Sequence, residues 1–228
     1  MDIRIIGTSH IAKQSVDEIK EFIEKDNPDI VAVELDLQRA AALMQKQKRK
    51  VGFSEMMEVG IRGFLFVKIG QYVQEKLGRI VGVSPGSEMK TAIEMANKNN
   101  AYVAFIDQPI KITLRNFSKE LTWKEKGRFV TDIFKGFFSP KKQMKEMGFD
   151  KLDLSKVPQQ EIITKMIKQL RKRYPSIYKT LIEDRNRYMV KRLVRLAKDN
   201  PDKKILAVVG AGHKEGMEKL LLKFDIVV

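Results

Sequence analysis

Apolar residues occur along this chain as short uninterrupted runs separated by amphipathic stretches. Ile3-Arg4-Ile5-Ile6 predicts a strand that stops at Gly7. Ser15, with Glu18 three residues on, has the pattern of a capping box that opens a helix. Val16, Ile19 and Ile23 then recur at helical spacing until Asn27-Pro28. Ile30-Val31-Ala32-Val33 has no polar break, as expected of a strand covered on both faces. These segments predict a βαβ unit, whose crossover is long enough to require parallel strands.

Residues 37–77 read as mostly helical, with Phe64, Phe66 and Val67 as a packed helix face or a partner-facing segment. Pro85-Gly86-Ser87 leads into a helix through Asn97, and Asn99-Asn100 turns into a third strand, Ala101–Ile106. From Lys111 to about Tyr174 the pattern is helical and irregular. Phe129, Phe134, Phe137 and Phe138 form an aromatic patch there, before Ser139-Pro140. A long helix is predicted over Ser176–Asp199, then a fourth strand, Ile205–Val209, a helix from Lys214 and a short last strand near Ile226. The expected fold is a single α/β domain over 1–228, with a central, mainly parallel sheet of about four or five short strands flanked by helices and a helical insertion at about 111–174.

Composition narrows the chemistry. Cysteine is absent, which excludes disulfides, thiolate metal sites and a cysteine nucleophile. No run approaches the roughly 18 apolar residues of a membrane span, and Gly63–Val67 is cut by Lys68. The expectation is a soluble, cytoplasmic protein, with the soluble part of a membrane-anchored protein as the alternative. The formal net charge is +15. Residues 165–204 carry much of that excess, so either a solvated basic face or an anionic partner such as a membrane surface is expected. Nucleic acid is the weaker reading, and a homo-oligomer stays open.

Ligands of open α/β sheets bind beyond the carboxyl ends of the strands. That position holds His10 after strand one, Glu34 and Asp36 after strand two, Asp107 after strand three and His213 after strand four. The two histidines are the only ones in the chain, and both follow a glycine by three residues, in Gly7-Thr8-Ser9-His10 and Gly210-Ala211-Gly212-His213. Two imidazoles and a carboxylate in one crevice would make a divalent-metal site able to activate water or a carbonyl. From spacing alone a second reading stays open, in which each histidine is a satisfied loop residue and Glu34 or Asp36 caps the next helix. On the long helix, Arg185 and Asn186 fall on or beside the apolar stripe. A half-buried arginine needs a carboxylate or anion: either an ion pair with Glu34, Asp36 or Asp107, or a role in orienting a carboxylate or stabilising an oxyanion. Phosphate-loop, dinucleotide, His-Glu-x-x-His and nucleophile-elbow motifs are absent.

The two Gly-x-x-His turns, Pro28–Asp36 with Arg39, Asp107-Gln108-Pro109-Ile110 leading to Thr113-Leu114-Arg115, and Glu183–Met189 together resemble the TraB/PrgY pheromone-shutdown family. That family is related to the Tiki metalloproteases and more distantly to erythromycin esterases and the ChaN haem-binding lipoproteins. The resemblance implies a sheet-centred α/β fold with His10, Glu34 and His213 as a metal or catalytic core. Arg185 and Asn186 match the family's Arg-Asn pair, and Arg39, Asp107 and Arg115 match further site positions. It implies a divalent ion, with manganese or cobalt favoured and zinc open, and a metal-dependent peptidase or hydrolase acting on a peptide. The alternative it implies is capture of a peptide ligand without turnover. Many members continue into a hydrophobic membrane region, so the chain is either a short form or the soluble part of a longer protein.

Overall fold

The computed structural model describes residues 2–8, 13–44, 86–138 and 159–224. Four strands, β1 (Asp2–Thr8), β2 (Ile30–Val33), β3 (Tyr102–Phe105) and β4 (Lys204–Gly210), form one sheet in the order β1-β4-β2-β3, every pair parallel. The sheet and its parallel sense agree with the sequence pattern, but β1 and β2 are not neighbours. β4, last in sequence, lies between them, and its residues Ile205–Val209 are buried throughout.

The helices among the described residues are α1 (Lys13–Asp26), α2 (Leu37–Met44), α3 (Ser87–Lys98), α4 (Ile110–Glu120), α5 (Trp123–Phe138), α6 (Gln159–Arg173), α7 (Pro175–Tyr178), α8 (Asp184–Asp199) and α9 (Ala211–Leu221). A π-helical turn, Lys179–Glu183, joins α7 to α8. The long helix expected from Ser176 is thus present, with one wide turn inside it. Helix α1 begins at Lys13, two residues before the expected cap. The segment at Phe64–Val67, Ser139-Pro140, the side chains of Phe134, Phe137 and Phe138, and the last strand near Ile226 lie outside the described residues. No helix among the described residues is long and apolar enough to cross a membrane.

Register explains how the layers pack. Ile5, Ala207, Ala32 and Ala104 lie side by side across all four strands. This flat, small row belongs to the core formed with Met189, Val190, Leu193 and Val194 of α8 and Met217 and Leu221 of α9. Enlarging an alanine of the row would overpack that layer, at a cost of about 1–3 kcal/mol. The next row, Ile6, Val208 and Val33, faces the opposite core with Ile19 and Ile23 of α1 and Met89, Ala92 and Ile93 of α3. Both helices of this second layer are followed by an asparagine at positive φ, Asn27 at 43° and Asn100 at 56°. Asparagine tolerates the left-handed region that turns a chain back toward the next strand.

Candidate functional site

Each strand delivers polar residues at the carboxyl edge of the sheet. β2 ends at Val33 and continues as buried Glu34, Leu35 and Asp36, while β3 is followed by buried Asp107 and Gln108. β4 passes directly into α9 at Gly210-Ala211, so His213 sits in the first turn of that helix, buried. Gly7 permits the close approach of β1 to this turn, since a Cβ there would stand 3.2 Å from Ala211 Cα and 3.1 Å from Lys214 Cβ.

Arg185 is the centre of the cluster. Its Nη2 donates to Glu34 Oε1 and to Asp107 Oδ2 at 2.8 Å, and its Nε donates to Asp107 Oδ1 at 3.0 Å. Nη1 reaches the Leu181 carbonyl at 3.4 Å, within the π-helical turn, and His213 Nε2 at 3.1 Å. Burial works against the charge, but the Glu34 and Asp107 carboxylates outweigh it and hold the guanidinium pKa above its ordinary value. Arg39 closes the other side, with Nη2 donating to Asp107 Oδ2 at 2.5 Å and to the Glu34 carbonyl at 2.9 Å. Asp36 has two roles. Its Oδ1 accepts the N–H groups of Gln38 and Arg39 at 2.9 and 3.0 Å and so caps α2, while its Oδ2 lies 3.2 Å from Arg39 Nε. The half-buried arginine is thus ion-paired with Glu34 and Asp107, and Asp36 caps the next helix, all within one buried network.

The same geometry assigns the protons on His213. Nδ1 lies 2.6 Å from Asn186 Oδ1, an oxygen that can only accept, and Nε2 lies 3.1 Å from a guanidinium nitrogen that can only donate. Both constraints place hydrogen on Nδ1 and the lone pair on Nε2. Glu34 is oriented similarly, because Gly210 N–H donates to its Oε2 at 2.6 Å and turns Oε1 toward Nε2 at 3.3 Å. Asn186 reaches this position only because residue 216 is glycine: a Cβ there would fall 2.4 Å from Asn186 Nδ2.

The structure thus brings Glu34, Arg39, Asp107, Arg185, Asn186 and His213 together. Arg115, on α4, is exposed and makes no described bond to the cluster. His10 lies outside the described residues. Sequence reasoning missed Glu88, which is fully buried in the first turn of α3, with Oε2 accepting from Ser87 Oγ at 3.3 Å and Oε1 without a hydrogen-bond partner among the described residues. A glutamate at that position reads as a solvated complement to the helix dipole, and nothing local reveals its burial. It also missed Glu125, whose carboxylate accepts from Thr122 Oγ1 at 2.8 Å and from Ser176 N–H at 2.8 Å, tying α5 to α7. Thr122 and Glu125 do form a capping-box pattern that was legible.

Among the described residues no group of three or more His, Cys, Asp or Glu is arranged to hold a metal ion. Two potential ligand atoms nevertheless have the spacing of a ligand pair, although both now accept from Arg185. His213 Nε2 and Glu34 Oε1 are 3.3 Å apart, about the 3.3–3.4 Å edge of a tetrahedral site with bonds of about 2.0–2.1 Å. Each is also held from behind, Nδ1 by Asn186 and Oε2 by Gly210, as ligating side chains usually are.

The sequence model of the TraB/PrgY/gumN family matches residues 2–224. An uncharacterized protein of Methanocaldococcus jannaschii is 36% identical over 227 residues, covering 98% of this chain and 54% of that protein. TraB domain-containing proteins of Homo sapiens and Mus musculus are 24% and 22% identical over 250 and 249 residues, each covering 95% of this chain and 62% of the relative. The chain spans little more than half the length of these relatives.

Proposed function

The chain belongs to the TraB/PrgY/gumN family, and from that premise we propose that its Glu34–Arg185–His213 cluster is a metal-assisted hydrolytic site acting on a peptide. The observation that carries this reading is the 3.3 Å separation of two potential ligand atoms, His213 Nε2 and Glu34 Oε1, each oriented from behind by Asn186 or Gly210 and each now accepting from Arg185, which would have to yield to an ion. These two residues would hold the ion, and His10 is the third donor by family resemblance. A divalent ion, manganese or cobalt by that resemblance with zinc as a further candidate, supplies Lewis acidity toward a carbonyl or water near neutral pH.

The chain's own groups supply the rest. With its five N–H groups held by Glu34, Asp107, His213 and Leu181, Arg185 would act on the negative charge that develops on a peptide carbonyl oxygen through the field of its fixed charge. In the alternative to ligation, Glu34 Oε1, which also accepts from Arg185, would take a proton from attacking water. Asn186 holds the imidazole in one tautomer and one orientation. Asp107 and Arg39 keep Arg185 in place from the far side.

Arg185 also favours a second reading, peptide capture without turnover, because it already neutralises the carboxylate that a catalyst would use. Protein stripped with chelator and titrated with Mn²⁺ in a calorimeter tests the site directly. Uptake is expected, weakened at least tenfold in His213→Ala and in Glu34→Gln. Incubation with a mixed peptide pool and mass spectrometry then reads turnover. No metal uptake together with an intact pool overturns the hydrolytic reading, and intact peptide that co-elutes with the protein supports capture.

A further inference from the structure

Beside the cluster, between α6, the π-helical turn and α9, lies a groove of about 260 Å³ whose inner end is Asn186. This is below the roughly 300–1,000 Å³ of pockets that enclose a whole small ligand. It is the size for a side chain belonging to a molecule that runs on past it. Ile163, Ile167 and Ile182 make the floor apolar. Two glycines of α9 let the walls of the groove approach closely: at Gly212 a Cβ would come within 2.9 Å of Ile167 Cδ1, and at Gly216 it would meet Asn186.

The rim is basic. Glu215 is paired with Lys219 and also lies in the field of Lys168, so along this edge the three cations, Lys168, Arg171 and Lys219, outnumber the one carboxylate by two. The Arg171 guanidinium lies over the Tyr178 ring, 5.4 Å from its centroid. That contact holds a cation at the mouth of the groove and takes none of its charge. Among the described residues, neither Lys168 nor Arg171 has a carboxylate within ion-pair distance. An apolar slot with a cationic lip calls for an apolar group followed closely by a carboxylate.

Resting on the hydrolytic or capture reading of the adjoining site, we propose that this groove is a subsite for an acidic peptide segment. One apolar side chain lies on Ile163, Ile167 and Ile182, and the neighbouring Asp or Glu pairs with Lys168 and Arg171. The peptide backbone then continues past Asn186 to His213. The groove selects the segment, and the cluster acts on it.

Dye-labelled, end-blocked peptides of the form Gly-Gly-Leu-X-Gly-Gly, with X as Glu, Gln or Lys, test this by fluorescence polarisation on the whole chain. The Glu peptide is expected to bind about threefold to fivefold more tightly than the Gln peptide, the scale of one partly exposed charge pair. The advantage should shrink in added salt. In Lys168→Glu/Arg171→Glu, both exposed positions, the order should reverse to favour the Lys peptide. Replacing the Leu by Gly should weaken all three. Equal binding of the three peptides, an unchanged order in the double variant, or no binding at millimolar peptide overturns the proposal. Loss of phosphatidylserine-vesicle binding in that variant without any peptide preference overturns it in favour of a membrane surface. Mass spectrometry of the same samples separates the two readings: charge-ordered binding of peptide that stays intact removes hydrolysis and leaves the groove standing.

Discussion

Removing the guanidinium from the centre of the cluster should be among the most destabilising single changes available to this protein. In Arg185→Met the apolar stem is kept, but Glu34 and Asp107 lose the donor they share, and their side chains are only 7% and 1% exposed. Among the described residues the cluster then holds Glu34, Asp36 and Asp107 against Arg39 alone. Stranding one partner of a buried pair costs about 3–5 kcal/mol, a large part of the roughly 5–15 kcal/mol that holds a domain folded. At about 2–4 °C per kcal/mol for a chain of this size, the melting temperature should fall by roughly 6–20 °C. Urea unfolding gives the free energy and the melt gives the temperature. The diagnostic variant is the double, Arg185→Met/Asp107→Asn, because it removes one of the two carboxylates that Arg185 compensates and should recover at least a third of the loss. Arg185→Lys should fall between, since a point charge cannot reproduce the two-pronged contact to Asp107. A loss below about 1 kcal/mol in the single variant, or strict additivity in the double, would refute the view that these charges form one coupled network.

Gly216→Ala should divide stability from site geometry. Alanine gains about 1 kcal/mol of helix propensity, but its Cβ displaces the Asn186 amide and breaks the bond to His213 Nδ1, so the net change in stability stays within about 2 kcal/mol. The measurement is the ¹⁵N chemical shift pair of the His213 ring, which should lose its single Nδ1–H tautomer; an unchanged pair would show that Asn186 does not set it. Glu125→Gln should flatten the acid limb of the stability curve. Burial raises the carboxyl pKa, but hydrogen bonds from Ser176 and Thr122 outweigh it and hold the folded value below the ordinary 4.5. Its contribution is therefore complete above about 4.5 and is lost as pH falls through the folded value. Wild type and variant should differ by about 1 kcal/mol in urea at pH 7 and converge at pH 2, and a constant gap across that range would count against the assignment.

The strands were legible because each is a short run of β-branched or small apolar residues, and the carboxyl-edge rule then placed Glu34, Asp36, Asp107 and His213 correctly. Arg185 was legible from its place beside the apolar stripe of a helix. Strand order was not, because β4 enters between β1 and β2 through a pairing of residues about 170 to 200 positions apart that no local pattern encodes. Arg39 reads locally as an ordinary helix-surface cation; the family resemblance alone pointed to it, and its reach to Asp107 joins it to the cluster.

Helix α9 shows why local propensity and site geometry part company. It carries glycines at 212 and 216, one helical turn apart, which together cost about 2 kcal/mol of propensity relative to alanine. A helix reader sees weakness there. In three dimensions both glycines lie where another element comes closest, α6 through Ile167 and α8 through Asn186. The helix is short and amphipathic only in part, yet its first turn must hold an imidazole against an amide, a guanidinium and a carboxylate at once. Larger residues at 212 and 216 would improve the isolated helix but push both neighbours away, reshaping the groove and releasing His213 together. The glycines therefore couple the slot to the cluster, so that substitutions at either position should alter ligand selection and imidazole orientation in the same variant.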